Sequence, residues 1–366
     1  MIRNKTPVLL LKKEVCTENI RNFADKAQKN NVLFRPHFKT HQSAIIGGWF
    51  RESGISRITV SSVKMAEYFL SSGWRDITIA FPVNHREIDE INSLASDITL
   101  NLLIVMPETI SFLKKHLKHP AGVFIKIDTG ALRTGILPDE KNTLDNMIEL
   151  LQDCSNLHFK GFLTHAGHTY QALSKKEILK IHRKSIAEMS SLKKRYSSVF
   201  PDCIVSIGDT PGCSVSDDFF GVDEMRPGNF VFYDWMQHDL GSCDFNRIAV
   251  CMSCPVSAVN KTRNEILIYG GAIHFSKDYI TRDTGEKIFG KVVKLHESGW
   301  ADDYSGAFLT RLSQEHGIIT GGEDLVKAVK PGSLLGIIPV HSCLTANLMK
   351  EYLTLDGESV RMMENM

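Results

Sequence analysis

The run RITVSSVKMAEYFLSSGWRDITIA, residues 57–80, decides the fold. Arg57 to Val60 and Ile77 to Ala80 are short apolar stretches rich in β-branched residues. Between them Ser62 to Ser72 carries apolar residues at helical spacing, opened by a serine suited to cap a helix. The same alternation of strand and helix recurs on both sides, with strand-like runs near Val32 to Phe34, Ile98 to Val105, Val123 to Ile127, His158 to Leu163, Cys203 to Ile207 and Asp223 to Met225. Amphipathic segments such as Asn84 to Ser96 and Ser174 to Tyr196 separate most of them. Eight strand-then-helix units predict an α/β chain folded as a (β/α)8 TIM barrel, with its site where the strands end. After about Cys243 the texture changes: Arg247 to Val259, Glu265 to Tyr269 and Leu334 to Val340 read as strands between Gly-rich turns. The expected division is a barrel over 12–243 and a mostly β domain made of 1–11 plus 244–366.

At 366 residues the chain is long enough for two cores. Forty-three basic residues against forty-two acidic ones leave a formal charge of +1, so no global field favours nucleic acid or an anionic membrane, and the expected partner is a small molecule. No apolar run approaches the ~20 residues of a membrane span, and Val8 to Leu11 is too short for the centre of a signal peptide. A cytoplasmic protein is expected. The eight cysteines form no disulfide framework; Cys251 and Cys254 read as two strand cysteines on differing faces.

Chemistry-bearing motifs fall at the predicted strand ends. Arg35-Pro36-His37-Phe38-Lys39-Thr40-His41 sets a lysine after a predicted buried strand, where loss of solvation would favour the free amine and Schiff-base chemistry; a surface lysine in a polar turn fits the same seven residues. Lys126 to Gly135 offers Asp128, two glycines and Arg133, suited to a planar anionic or aromatic ligand. Gly161 to Tyr170 gathers His165, His168 and Tyr170 around a glycine. In Ser206 to Ser214, Gly208 allows close backbone approach, Thr210 supplies a hydroxyl and Pro211 opens a short helix: the makings of a phosphate cradle, to which Arg226-Pro227-Gly228-Asn229 could add backbone donors. Each run alone also reads as an ordinary polar turn. A lysine at the first strand and a phosphate site at the seventh and eighth share one mouth on a closed barrel, which points to pyridoxal 5′-phosphate. In the β domain, Pro339-Val340-His341-Ser342-Cys343 places His and Cys at i and i+2, a same-face pair if the chain is extended, and a thiolate with an imidazole favours zinc. A core cysteine beside a satisfied histidine is the plainer alternative.

Taken in order, Pro-His-x-Lys-Thr-His at 36–41, Asp-x-Gly-x-x-Arg-x-Gly at 128–135, His165-x-Gly167-His168-x-Tyr170, Gly208-x-Thr210-Pro211, Arg226 to Asp234, Ser313 to Gly317 and Pro339 to Cys343 resemble the metal-activated fold type III pyridoxal-phosphate enzymes. That group contains eukaryotic-type D-serine dehydratase, D-threo-3-hydroxyaspartate dehydratase and the D-threonine aldolases. The resemblance runs from about Thr6 to Leu348 and departs at Gln314, where the group more often has an acidic residue. It implies an alanine-racemase-type barrel with a C-terminal β domain, assembled as a head-to-tail homodimer. By the same resemblance Lys39 is the Schiff-base lysine and His37, Arg133, Tyr170, Gly208, Thr210, Gly228, Asn229 and Tyr233 surround the cofactor. Tyr170 and His165 join Lys39 as catalytic candidates, and His341 and Cys343 are the zinc ligands.

Within that group the aldolases resemble His-x-Asp at the metal motif and the dehydratases His-x-Cys. Cys343 therefore predicts a zinc- and pyridoxal-phosphate-dependent dehydratase acting on a D-3-hydroxy amino acid, with D-serine the leading candidate. The rival is an aldolase with a base such as His165 or His168 on the β-hydroxyl. A racemase is disfavoured because Tyr269 to His274 differs from the racemase pattern. A non-catalytic carrier of the cofactor leaves the His–Cys pair unexplained.

Overall fold

In the computed structural model, residues 3–302, 304 and 306–364 are described. The chain divides into two compact units: one of Arg21–Lys39 and Gly47–Gly228, the other of Met1–Ile20, Thr40–Ile46 and Asn229–Met366.

The first unit is the barrel. Eight parallel strands, Leu33–Phe34, Ile58–Val60, Asp76–Pro82, Thr99–Ile104, Ala121–Ile127, Leu157–Thr164, Ile204–Ile207 and Glu224–Met225, lie in sequence order around one sheet, with Leu33–Phe34 paired to Glu224–Met225. Every residue of Ala121–Ile127 is buried, as expected of a strand covered on both faces. Ser62 caps the helix Val63–Ser71 by accepting the Met65 N–H, and Ser174 caps Lys175–Tyr196 by accepting that of Glu177, so both serines do what their spacing implied.

Closure of the barrel falls to the motif around Lys39. His37 bridges Thr59 in parallel, Thr59 N–H donates to Pro36 O at 2.9 Å, and Phe38 N–H donates to Thr59 O at 2.8 Å. On the other side His37 N–H donates to Pro227 O at 2.9 Å. Phe38 is fully buried in an aromatic box, with ring centroids 4.8 Å from Phe50, 4.9 Å from Phe69 and 5.1 Å from Trp74.

Inside the barrel a polar chain runs across several strands. Arg35 Nη1 donates to Asp76 Oδ1 at 2.5 Å and its Nε to Glu224 Oε2 at 2.6 Å. Glu224 Oε1 accepts from Ser206 Oγ at 2.7 Å, and Ser206 Oγ accepts from Arg226 Nε at 2.6 Å. Each charge in this chain is thereby partnered, the condition under which burying it is tolerated.

The second unit is built on a mostly antiparallel sheet. Val250–Asn260 runs antiparallel to Val8–Leu11, Glu265–Tyr269 and Leu334–Pro339, while Glu351–Thr354 joins Val8–Leu11 in parallel. Cys251 and Cys254 lie on the first of these strands, buried and not disulfide-bonded. Among the described residues no helix is long and apolar enough to cross a membrane.

Phe38 is the packed anchor of the closing segment. Phe38→Ala is expected to destabilise the protein by about 3–5 kcal/mol in urea unfolding; a loss under about 1 kcal/mol would show that the aromatic box does not hold the closure.

Candidate active site

Lys39 is one residue past that anchor, in a turn, and its side chain is exposed. This corrects the expectation of a buried lysine. The strand ends at Phe34 and the buried position of the motif is taken by Phe38, so the next side chain swings out at the strand-end mouth. Lys39 N–H donates to His37 Nδ1 at 3.4 Å.

Around it the barrel gathers positive charge. Lys39, Arg226 and Arg133 all act on His37 and His165. Lys126, inside a fully buried strand and bonded to Thr134, is brought down to about 8, first by burial and then by Arg133 and Arg226. Asp128 offsets part of this charge at Lys126, while its carboxylate accepts the backbone N–H groups of Gly130 at 2.9 Å, Leu132 at 3.1 Å and Arg133 at 3.0 Å. Those bonds outweigh burial and hold it below the usual carboxylate range. Gly130 sits at φ +125°, and a Cβ there would meet His168 Nε2 at 3.2 Å, which accounts for that glycine. A mouth so charged calls for an anionic ligand.

His165 Nδ1 bonds to the Gly208 carbonyl, so the ring nitrogen left to a ligand is Nε2. Burial, then Lys39, pushes this imidazole down to about 3, and His168 is lowered by burial as well. Both rings are neutral near pH 7 and are weak bases. Tyr170 Oη accepts the Thr210 N–H at 3.3 Å, and Asp209 caps the helix Thr210–Val215 through Gly212 N–H at 2.6 Å while receiving the Thr169 hydroxyl at 2.9 Å. The Thr210 hydroxyl is buried without a hydrogen-bond partner, an orphan that a phosphate oxygen would satisfy. Gly208 owes its lack of a side chain to Arg226, whose carbonyl would lie 3.0 Å from a Cβ.

Thus His37, Lys39, Arg133, His165, Tyr170, Gly208 and Thr210 come from strand ends and loops of the barrel unit, as does Gly228, its last residue. Reading the sequence missed Lys126 and the side chain of Arg226, which donates to Thr164 O at 2.7 Å; a lysine within an otherwise apolar run was the available signal for the first.

Asn229, Tyr233, His341 and Cys343 belong to the other unit. The Asn229 side-chain amide donates to Asp234 Oδ2 at 2.7 Å, Ser342 Oγ at 3.0 Å and Cys343 Sγ at 3.5 Å, so that side chain serves the His–Cys corner, and what its loop offers a phosphate is backbone N–H. Tyr233 is buried, with φ +50°. His341 and Cys343 are not on an extended strand: the strand Leu334–Pro339 has ended, His341 is the N-cap of Ser342–Met349, and Cys343 is in that helix's first turn. The corner still brings imidazole and thiol within hydrogen-bonding reach. Burial opposes charge on both, yet Asp278, Cys343 and Asp234 push His341 up to about 10. His341 and Thr40, whose hydroxyl is 3.4 Å from Sγ, hold Cys343 below the usual thiol range. A thiol this ready to ionise, beside an imidazole, is a two-donor set suited to zinc. Among the described residues no group of three or more His, Cys, Asp or Glu is placed to hold a metal ion.

The alanine racemase N-terminal domain family matches residues 13–234. The chain belongs to that family. A second family, described as a putative serine dehydratase domain, matches residues 249–355. Similar proteins include a D-serine dehydratase of Dictyostelium discoideum, 29% identical over 97% of this chain and 94% of the relative. A D-threo-3-hydroxyaspartate dehydratase of Delftia sp. strain HT23 is 27% identical over 96% and 94%. The solved structure of the Delftia enzyme superposes with a TM-score of 0.90 at 24% identity, covering 99% of this chain and 98% of that one. The alanine-racemase-like barrel and β domain expected from the motifs are those observed.

The histidines also set a pH dependence. His37, His41, His165 and His182 are all lowered by burial, the last three to about 3, 3 and 4. The unfolded chain thus binds more protons than the folded one below about pH 6.5, and stability present above that pH is lost as it falls. Asp209, raised to about 6 by burial, and Asp234 and Asp239, also raised by burial, act in the opposite sense and offset part of the histidine contribution. The urea midpoint is expected to decline steadily from pH 6.5 to 4, and His182→Gln to flatten the decline; a midpoint constant over that range would contradict buried neutral imidazoles.

Proposed function

We propose that this pyridoxal-phosphate-dependent lyase eliminates water from a D-3-hydroxy amino acid with the help of zinc, giving a 2-oxo acid and ammonia, with D-serine the first substrate to try. The observation that carries the reading is the His341–Cys343 corner, an imidazole and a thiol held together with the thiol ready to ionise.

On the barrel side, Lys39 would hold the cofactor covalently, and the Thr210 hydroxyl with backbone groups near Gly208 and Gly228 would take its phosphate. Bound there, the cofactor supplies an electron sink for negative charge at the substrate Cα. Lys39 Nζ, once the substrate amine has replaced it, accepts the Cα proton. Lys126, Arg133 and Arg226 supply the positive field in which anionic groups are retained. His165, neutral and tied to Gly208 O, orients a ligand through Nε2 and does not take a proton at working pH.

Zinc held by His341 Nε2 and Cys343 Sγ would supply Lewis acidity toward a hydroxide leaving group. Cleavage of Cα–Cβ, the aldolase alternative, needs a base for the β-hydroxyl proton, and the depressed His165 and His168 serve that role poorly.

The test is a product assay with pyridoxal phosphate on D-serine, D-threonine and D-threo-3-hydroxyaspartate, with and without zinc chelation. Zinc-dependent pyruvate, 2-oxobutyrate or oxaloacetate, lost by at least about 10³-fold in Lys39→Ala, is the expected result. Glycine with an aldehyde, or activity restored by manganese and not by zinc, would replace dehydration with aldol cleavage.

A further inference from the structure

Zinc on His341 uses one ring nitrogen, and the structure gives the other a partner. His341 Nδ1 lies 2.7 Å from Asp278 Oδ2, which leaves Nε2 as the nitrogen on the Cys343 side. A carboxylate that accepts Nδ1–H keeps that proton in place, so a metal displaces the proton of Nε2 and takes that nitrogen's lone pair, and the ring plane is fixed with it.

The position of Asp278 is built, not incidental. The helix Ala272–Phe275 is tied to the helix bearing Cys343, because Thr345 Oγ1 donates to Phe275 O at 3.3 Å. The next residue, Ser276, takes φ +68° and ψ −174°, a backbone region populated almost only by glycine. Its hydroxyl accepts the Asp278 N–H at 3.2 Å. A docked helix, a strained turn and a side-chain pin thus set the carboxylate against the imidazole. The cysteine has matching support: Asp234 receives Ser342 N–H at 2.9 Å and the Asn229 amide at 2.7 Å, and that amide reaches Sγ.

We propose that Asp278 is a positioning residue for metal binding, holding His341 with Nε2 turned toward the ion. This rests on the reading of His341 and Cys343 as a zinc pair. No contact of Asp278 with substrate or cofactor is involved; it acts through the histidine.

The experiment measures zinc affinity of the purified full-length protein by competition with a chromophoric chelator, for wild type, Asp278→Ala, Asp278→Asn and His341→Ala, alongside the thermal midpoint of each zinc-free protein. Asp278→Ala is expected to weaken zinc by roughly 10–100-fold, with the zinc-free midpoint lowered by no more than about 3 °C. Asp278→Asn retains most of the affinity, because its Oδ1 still accepts the Nδ1–H. His341→Ala loses tight binding. Wild-type affinity in Asp278→Ala, with binding lost in His341→Ala, would overturn the positioning role alone. Wild-type affinity in His341→Ala would overturn the zinc pair and the proposal with it.

Discussion

The constraint on which the barrel and its mouth depend is the three-residue stitch Pro36 to Phe38. Its backbone closes the sheet onto Thr59 and ties the same segment to Pro227, while Phe38 fills a box of three aromatic rings. Lys39 emerges one residue later, so the interactions that complete the barrel also deliver the amine to the ends of the strands. Backbone bonds give the register. Burial of the aromatic ring adds stability to the segment beyond those bonds.

Charge then decides what the mouth accepts. Arg226 is held by Ser206 and Thr164, at the end of the polar chain through Glu224, Arg35 and Asp76. A guanidinium fixed this way cannot fold back on a nearby carboxylate, and Asp128, held by three backbone amides, offsets only part of the charge. Lys39, Arg133 and Arg226 leave the mouth with an excess of cation. Burial lowers the basicity of His165 and His168, with Lys39 adding to the effect at His165, and in the proposed reaction that leaves proton transfer to Lys39.

The regular part of the fold is legible because the physics is local. The apolar runs match the eight barrel strands to within one or two residues at most ends, and Ser62 and Ser174 cap the helices they precede. What the sequence hides depends on partners far away in the chain. Lys39 reads as buried because it follows an apolar strand-like run, but burial belongs to Phe38. Asn229 reads only as part of a loop with backbone donors, and the bonds of its side-chain amide to Asp234 and Ser342 have no signal in the loop itself. The His-x-Cys spacing suggests an extended strand, whereas a helix begins between the two residues. Asp278, 63 positions before His341, and Lys126, whose partner Thr134 lies in a loop, carry no spacing signal at all.

Lys39, in its exposed turn, and Lys126, with its affinity for protons brought down to about 8, both stand at the mouth, and the chemistry depends on which of them holds the cofactor. The direct measurement is borohydride fixation of pyridoxal phosphate to the native protein, followed by peptide mass mapping. A single label on Lys39 is the predicted result. A label on Lys126, with Lys39 unmodified, would contradict the claim that barrel closure places the reactive amine.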